Sequence, residues 1–179
     1  MNTHEAHQKP AESATATGLA TMQPHLLQFE VEKLMRAYCA CIDEDRLEQW
    51  PAFFVEDGRY QITTRTNADR GLPANALSCD SAAMMRDRVV SLRHANVYGA
   101  QSYRHIVSNI DVRQVSARSV SVQSHYLVVR FIAREGEPLL FSAGRTLDTL
   151  VMTESGLKFR ERKVISDNDR IHTLIVLPI

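Results

Sequence analysis

The sequence is poor in the residues that build metal centres and covalent staples. Its 179 residues include three cysteines and one tryptophan, and 21 Lys+Arg stand against 21 Asp+Glu, so no charge excess exists. An odd number of cysteines, two of them as Cys39-x-Cys41, excludes a disulfide framework and falls short of zinc-pair spacing. Three reduced thiols in a cytoplasmic protein are the expectation. Zero net charge argues against gripping nucleic acid or an anionic membrane as the main work. No apolar run approaches the roughly 20 residues that cross a bilayer. What remains is a chain with 44% apolar residues, the arithmetic of one globular domain able to bury its own core.

Residues 1–24, rich in Ala, Thr and Ser and carrying Pro10 and Pro24, have neither a basic head nor a continuous apolar stretch. They read as a disordered leader with solvated His4 and His7, ahead of a single domain over 25–179. Leu27, Val31, Leu34, Tyr38, Cys41 and Ile42 then recur at steps of three and four, which predicts an amphipathic helix. Asp45 and Glu48 have capping-box spacing for a second short helix carrying Leu47, Trp50 and Phe53/Phe54. From Arg59 the period becomes two, with Tyr60, Ile62 and Thr64 on one face. The stretch from Thr66 to Asp80 is turn-rich. A third helix, capped by Asp80 or Ser78, runs from about Ser81 to Ala95 with Met85, Val89 and Leu92 inward.

Strand-like runs follow at about 103–115, 118–133, 138–152 and 157–166, separated by short breaks that predict antiparallel hairpins. Helix, helix, strand, helix and then a meander of long strands is α+β, with helices on one face of a strongly curved sheet. Tyr126 to Phe131 is apolar on both alternating faces, and Ile171 to Ile179 reads as a last strand of the same kind. Such strands need cover on both sides, from the chain's own core or from another subunit.

The familiar catalytic templates are missing: no G-x-G-x-x-G, no phosphate loop, no G-x-S-x-G, no H-E-x-x-H and no Rieske ligand pattern. Weaker candidates remain. Asp43-Glu44-Asp45 offers a general base if one carboxylate is buried, though such a run is more often a solvated helix end. His105, expected on one face with Val107, Asn109 and Asp111, offers acid/base chemistry beside a carboxylate. Arg86, Arg88 and Arg93 offer bidentate anion binding or, more commonly, an ion-pair network. Arg160 to Lys163 is too short and mixed to argue for nucleic acid.

Against this background a resemblance stands out, spanning residue 27 to the end. Its elements are Ile42-Asp43, Arg46-Leu47, Trp50-Pro51, Phe54, Glu56-Asp57, Tyr60-Gln61-Ile62, Asn67, Arg70-Gly71-Leu72-Pro73, Met85, Asp87-Arg88-Val89, Leu92-Arg93, Ala95-Asn96, Tyr98, Arg104-His105 and Leu177-Pro178-Ile179. In order and spacing the chain resembles the small (beta) subunits of aromatic-ring-hydroxylating dioxygenases, and through Arg70-Gly71-Leu72-Pro73 and Met85-x-Asp87-Arg88 it looks closer to those of salicylate hydroxylases and of terephthalate or ortho-substituted benzoate dioxygenases than to naphthalene-type subunits. The resemblance implies a nuclear-transport-factor-2-like (cystatin-like) cone. It implies a large alpha subunit bearing a Rieske [2Fe-2S] cluster and a mononuclear iron, and no cofactor, metal or catalytic residue in this chain. An alpha3beta3 hexamer served by a reductase, often through a ferredoxin, in aromatic compound catabolism completes the implication. Arg86, Arg88, Arg93, Arg104, His105, Leu177, Pro178 and Ile179 are then expected at subunit contacts. The alternatives are a stand-alone dehydratase or isomerase of the same cone using Asp43 and His105, and a ligand-binding scaffold.

Overall fold

The computed structural model describes residues 18–94, 101–132, 136–169 and 177–179. The folded part starts earlier than expected, because a helical turn, α1 (Gly18–Thr21), buries Leu19 in the same apolar cluster as Leu27 and Val112, correcting the boundary at 24. Helix α2 (Pro24–Asp43) opens with a proline, tolerated there because the first helical N–H groups have no intrahelical partner. Its buried stripe is Leu27, Val31, Met35, Tyr38, Cys41 and Ile42. Met35 takes the place expected for Leu34, since 27, 31, 35, 38 and 42 track one side of a 3.6-residue helix and Leu34 falls at its margin.

The next element is a 3₁₀ helix (Leu47–Phe53) with Leu47, Trp50 and Pro51 buried, and the expected capping box does not form. Asp45 instead sits at φ 56° with its carboxylate on Arg93, so it cannot reach the helix start. Strand β1 (Phe54–Thr64) begins before Arg59. The turn-rich stretch contains a short helix, α3 (Arg65–Asp69), capped by Thr64 Oγ1 accepting the Asn67 N–H, and a short strand, β2 (Leu77–Cys79). Helix α4 (Ala82–His94) buries Met85 and Val89; Ser81 Oγ, not Asp80 or Ser78, accepts the Met84 N–H in its first turn.

Four long strands complete the chain: β3 (Gln101–Val115), β4 (Ser119–Ile132), β5 (Leu139–Thr153) and β6 (Gly156–Ser166). They pair antiparallel in succession, and the sheet order is β2-β1-β6-β5-β4-β3. The β1–β6 pair is parallel, a crossover that hairpin logic does not reach. Helix α2 packs on the inner face of this sheet, giving the nuclear-transport-factor-2-like α+β cone.

Two bulges decide which side chains face inward. In β3 the register slips between Ser108 and Asp111 around Asn109, which has φ 50°. Asn109 and Asp111 are therefore exposed while His105, Val107, Ile110 and Val112 face the helix, correcting the single face expected for His105, Asn109 and Asp111. In β6 the register slips at Arg160, which turns Arg162 into the core. On β4, Tyr126 and Val128 are buried and Phe131 on the opposite face is exposed.

The expected last strand from Ile171 falls on residues 170–176, outside the described residues. Residues 177–179 are not a strand, and Pro178 and Ile179 are buried within this chain. Within this chain Pro178 and Ile179 are covered by the core and Leu177 is half-buried; the subunit contact expected of the three involves another chain.

Candidate functional site

Helix α2 ends where β3 enters the sheet's outer edge, and the two form a groove of about 770 Å³. Arg36, Cys39, Asp43, Arg104, His105 and Asn109 are among its lining. The three consecutive carboxylates at the helix end diverge. Asp43 turns to His105, Glu44 pairs with Arg46, and Asp45 pairs with Arg93. Asp45 makes this divergence geometrically available through its left-handed backbone.

Asp43 accepts the His105 main-chain N–H on both oxygens, at 3.0 and 3.2 Å, and the ring Nδ1–H at 2.6 Å. A carboxylate only accepts, so these contacts place the ring proton on Nδ1. Arg104 donates to the Asp43 carbonyl at 3.3 Å and to the Tyr103 carbonyl at 3.1 Å. At the far end of the groove Gln28 donates to the Ile110 carbonyl at 3.2 Å. Side chains of α2 thus satisfy main-chain groups along the open side of β3, where an edge strand otherwise invites another chain.

A dyad of this kind could relay a proton from Nδ1 to Nε2 chemistry. The His105 side chain is only 3% exposed, however, and its Nε2 is out of solvent with no hydrogen-bond partner. A ligand in the groove cannot touch that nitrogen without the ring moving. The arrangement serves positioning and edge protection better than proton transfer. Among the described residues no three His, Cys, Asp or Glu side chains converge, so the donor set here does not fit an iron or a cluster.

The arginines singled out in the sequence lie on two different surfaces. Arg86 pairs with Glu56, which holds that carboxyl below its usual range. Arg93 grips Glu48 at 2.7 Å and Asp45 at 2.8 Å, and its hydrogen bond depresses the Glu48 pKa. Both tie α4 to neighbouring elements. Arg88 is half-buried near Cys79, and Arg104 alone of the set joins Asp43 and His105. Burial raises all three thiols, Cys39 to about 11, which leaves them protonated and unreactive.

Sequence reading missed the buried polar system on the inner sheet face. Asp148 on β5 and Arg162 on β6 are cross-strand neighbours 3.0 Å apart, both fully buried. Thr146 donates to Asp148 at 2.9 Å and exchanges a hydrogen bond with Ser124, while the guanidinium lies over the Tyr38 ring at 4.4 Å. Nothing in the strand alternation signals this, because Arg162 faces inward only through the Arg160 bulge.

A family model described as "Ring hydroxylating beta subunit" matches residues 39–173. The chain is 41% identical over 151 residues to the anthranilate 1,2-dioxygenase small subunit of Burkholderia cepacia, covering 84% of this chain and 93% of that one. It is 34% identical to subunit beta 2 of the terminal oxygenase component of terephthalate 1,2-dioxygenase from Comamonas sp, covering 85% and 98%. Among solved structures, the beta subunit of a candidate aromatic-ring-hydroxylating dioxygenase from Novosphingobium aromaticivorans superposes with a TM-score of 0.79 at 35% identity, covering 87% of this chain and 98% of that one.

Proposed function

Because this chain belongs to the family of ring hydroxylating beta subunits, we propose that it is the supporting half of an oxygenase that hydroxylates an aromatic carboxylate of the anthranilate or terephthalate type. The observation that carries this is the 41% identity along nearly the whole of an anthranilate dioxygenase small subunit. The large subunit of such an enzyme supplies the Rieske cluster and the mononuclear iron, and three copies of each chain make an alpha3beta3 hexamer in the cytoplasm, fed by a reductase and ferredoxin. This chain's contribution is geometric. It holds large subunits in fixed relation, and a displacement of about 1 Å between reacting partners can cost roughly a hundredfold in rate.

What supports a protein partner is the side of the sheet that no helix covers. Ile106, Phe131 and Leu140 are exposed there, and the register sets Ile106 beside Leu127 and Leu140 beside Val129. Arg104 stands on the same strand edge, so it and the half-buried Arg88 remain our interface candidates, with Arg86 and Arg93 bracing α4 behind them. His105 takes part through Asp43, by keeping the β3 edge in place. The stand-alone dehydratase or isomerase reading draws on the 2.6 Å Asp43–His105 contact, but the sequestered Nε2 counts against it.

The test is co-expression of the full chain with a Rieske-type large subunit, assayed with reductase on anthranilate and terephthalate. A stable iron-containing complex that oxidises one of these acids, with no turnover by this chain alone, is the expected result. Turnover by the lone chain that disappears in a folded His105→Ala variant would overturn the reading.

A further inference from the structure

The groove, the arginine pairs and the bare sheet face all belong to the reading above, but the centre of the cone holds a recognition site that this reading does not use. Tyr38 of α2 and Tyr60 of β1 both donate their hydroxyl protons to one main-chain oxygen, that of Ile179, at 3.1 and 3.2 Å. The Ile179 N–H in turn donates to Tyr60 Oη at 2.7 Å, and the Trp50 indole N–H donates to Tyr38 Oη at 3.2 Å. Each hydroxyl therefore gives one hydrogen bond and accepts one, in a closed circuit with no spare donor. Tyr38, Trp50 and Tyr60 are fully buried, and Ile179 is 3% exposed. Phe54 and Phe159 wall the site edge-on or tilted against the tyrosines. Burial drives both phenol pKa values up, so both stay donors at any working pH.

The two hydroxyls converge on the main-chain oxygen of Ile179 and one of them also takes its N–H, so the site satisfies both polar groups that this buried residue carries in, which a purely apolar pocket would leave unpaired. We propose that Tyr38 and Tyr60 form an interior site for a main-chain oxygen and its residue's N–H, and that Pro178-Ile179 is the resident ligand of that site, so that the inner face of the sheet is closed by this chain's own residues. The site reads the N–H and the main-chain oxygen of one residue, on either side of its Cα, plus a branched apolar side chain. It would take a short N-acylated prolyl-isoleucine in place of residues 178–179. The same docking ties Ile179 to Tyr38 of α2 and Tyr60 of β1, 141 and 119 positions away in sequence, which makes it a clasp on the helix-to-sheet packing.

Two measurements test this. In the full chain, the Ile179 amide should exchange with solvent at least about a thousandfold more slowly than a free amide, matching the core strands. Tyr60→Phe should cut that protection by tenfold or more, whereas free exchange in the unaltered chain overturns the proposal. In a chain shortened by residues 178–179, melting should fall by roughly 10 °C. Millimolar N-acetyl-prolyl-isoleucine should restore part of it, and N-acetyl-prolyl-glycine should not. An unchanged melting temperature, or equal effects of both peptides, overturns the assignment; if the shortened chain does not fold, the exchange measurement on the full chain decides.

Discussion

Asp148 carries its charge in the worst place the molecule offers, fully buried, and Arg162 is the reason it can. Burial pushes the Asp148 carboxyl up to about 6 from an ordinary 3.8, with the guanidinium and the Thr146 hydroxyl pulling the other way. Because the folded state holds the proton more tightly than the unfolded chain, this group's stabilisation is complete below about pH 4 and is lost as pH rises through about 6. The difference in urea midpoint between the parent chain and Asp148→Asn should therefore grow in the parent's favour from pH 7.5 to 4.5, by on the order of 2 kcal/mol. Asp43 accepts three hydrogen bonds from His105. Asp43→Ala leaves the His105 N–H and Nδ1–H without an acceptor at a half-covered site, and a loss of about 2–3 kcal/mol in chemical denaturation is expected. If the supporting role proposed above is right, His105→Ala in the assembled oxygenase should lower stability but leave turnover per bound iron within about twofold.

At the scale of elements, the β5–β6 pairing has a place where a side chain is not allowed. A Cβ on Gly144 of β5 would lie 2.1 Å from the Ile165 carbonyl oxygen on β6, where the two strands close on each other. Gly144→Ala should cost at least about 3 kcal/mol by urea unfolding, because a backbone atom rather than a flexible side chain is in the way. The Asn109 bulge behaves differently: its positive φ suits asparagine or glycine, so Asn109→Gly should be near neutral and Asn109→Val clearly destabilising. These bulges also mark where the sequence stopped being legible. Alternation placed the four long strands within a few residues of their observed ends, yet parity counted through Asn109 put Asp111 with His105, and parity counted through Arg160 keeps Arg162 outside. One inserted residue reverses every later side chain, and nothing local announces it.

For the whole molecule, the proposed assembly face on β3, β4 and β5 is exposed while Pro178 and Ile179 are buried, so the two should respond to substitution differently. Leu140→Asp and Phe131→Asp should leave the melting of the isolated chain nearly unchanged, since both side chains already face solvent, while lowering co-purification with the large subunit at least about tenfold. Arg88→Ala and Arg104→Ala should weaken assembly in the same pull-down. Hexamers of normal stability in all four variants would remove this face from the contact. Pro178 and Ile179 are buried within this chain, so their alteration should appear in its own folding.

By itself the sequence determined the order of helices and strands, the α+β class, the family and the absence of a template for chemistry, because these rest on periodicity, turn residues and ordered short matches that are local in the chain. The tertiary structure alone decided the parallel β1–β6 pairing, the buried Asp148–Arg162 pair, the Asp43–His105 contact across 62 residues and the seat of Ile179 between two tyrosines. Each of these joins residues far apart in sequence, and each depends on register and bulge geometry, where a single residue of slip changes which groups meet.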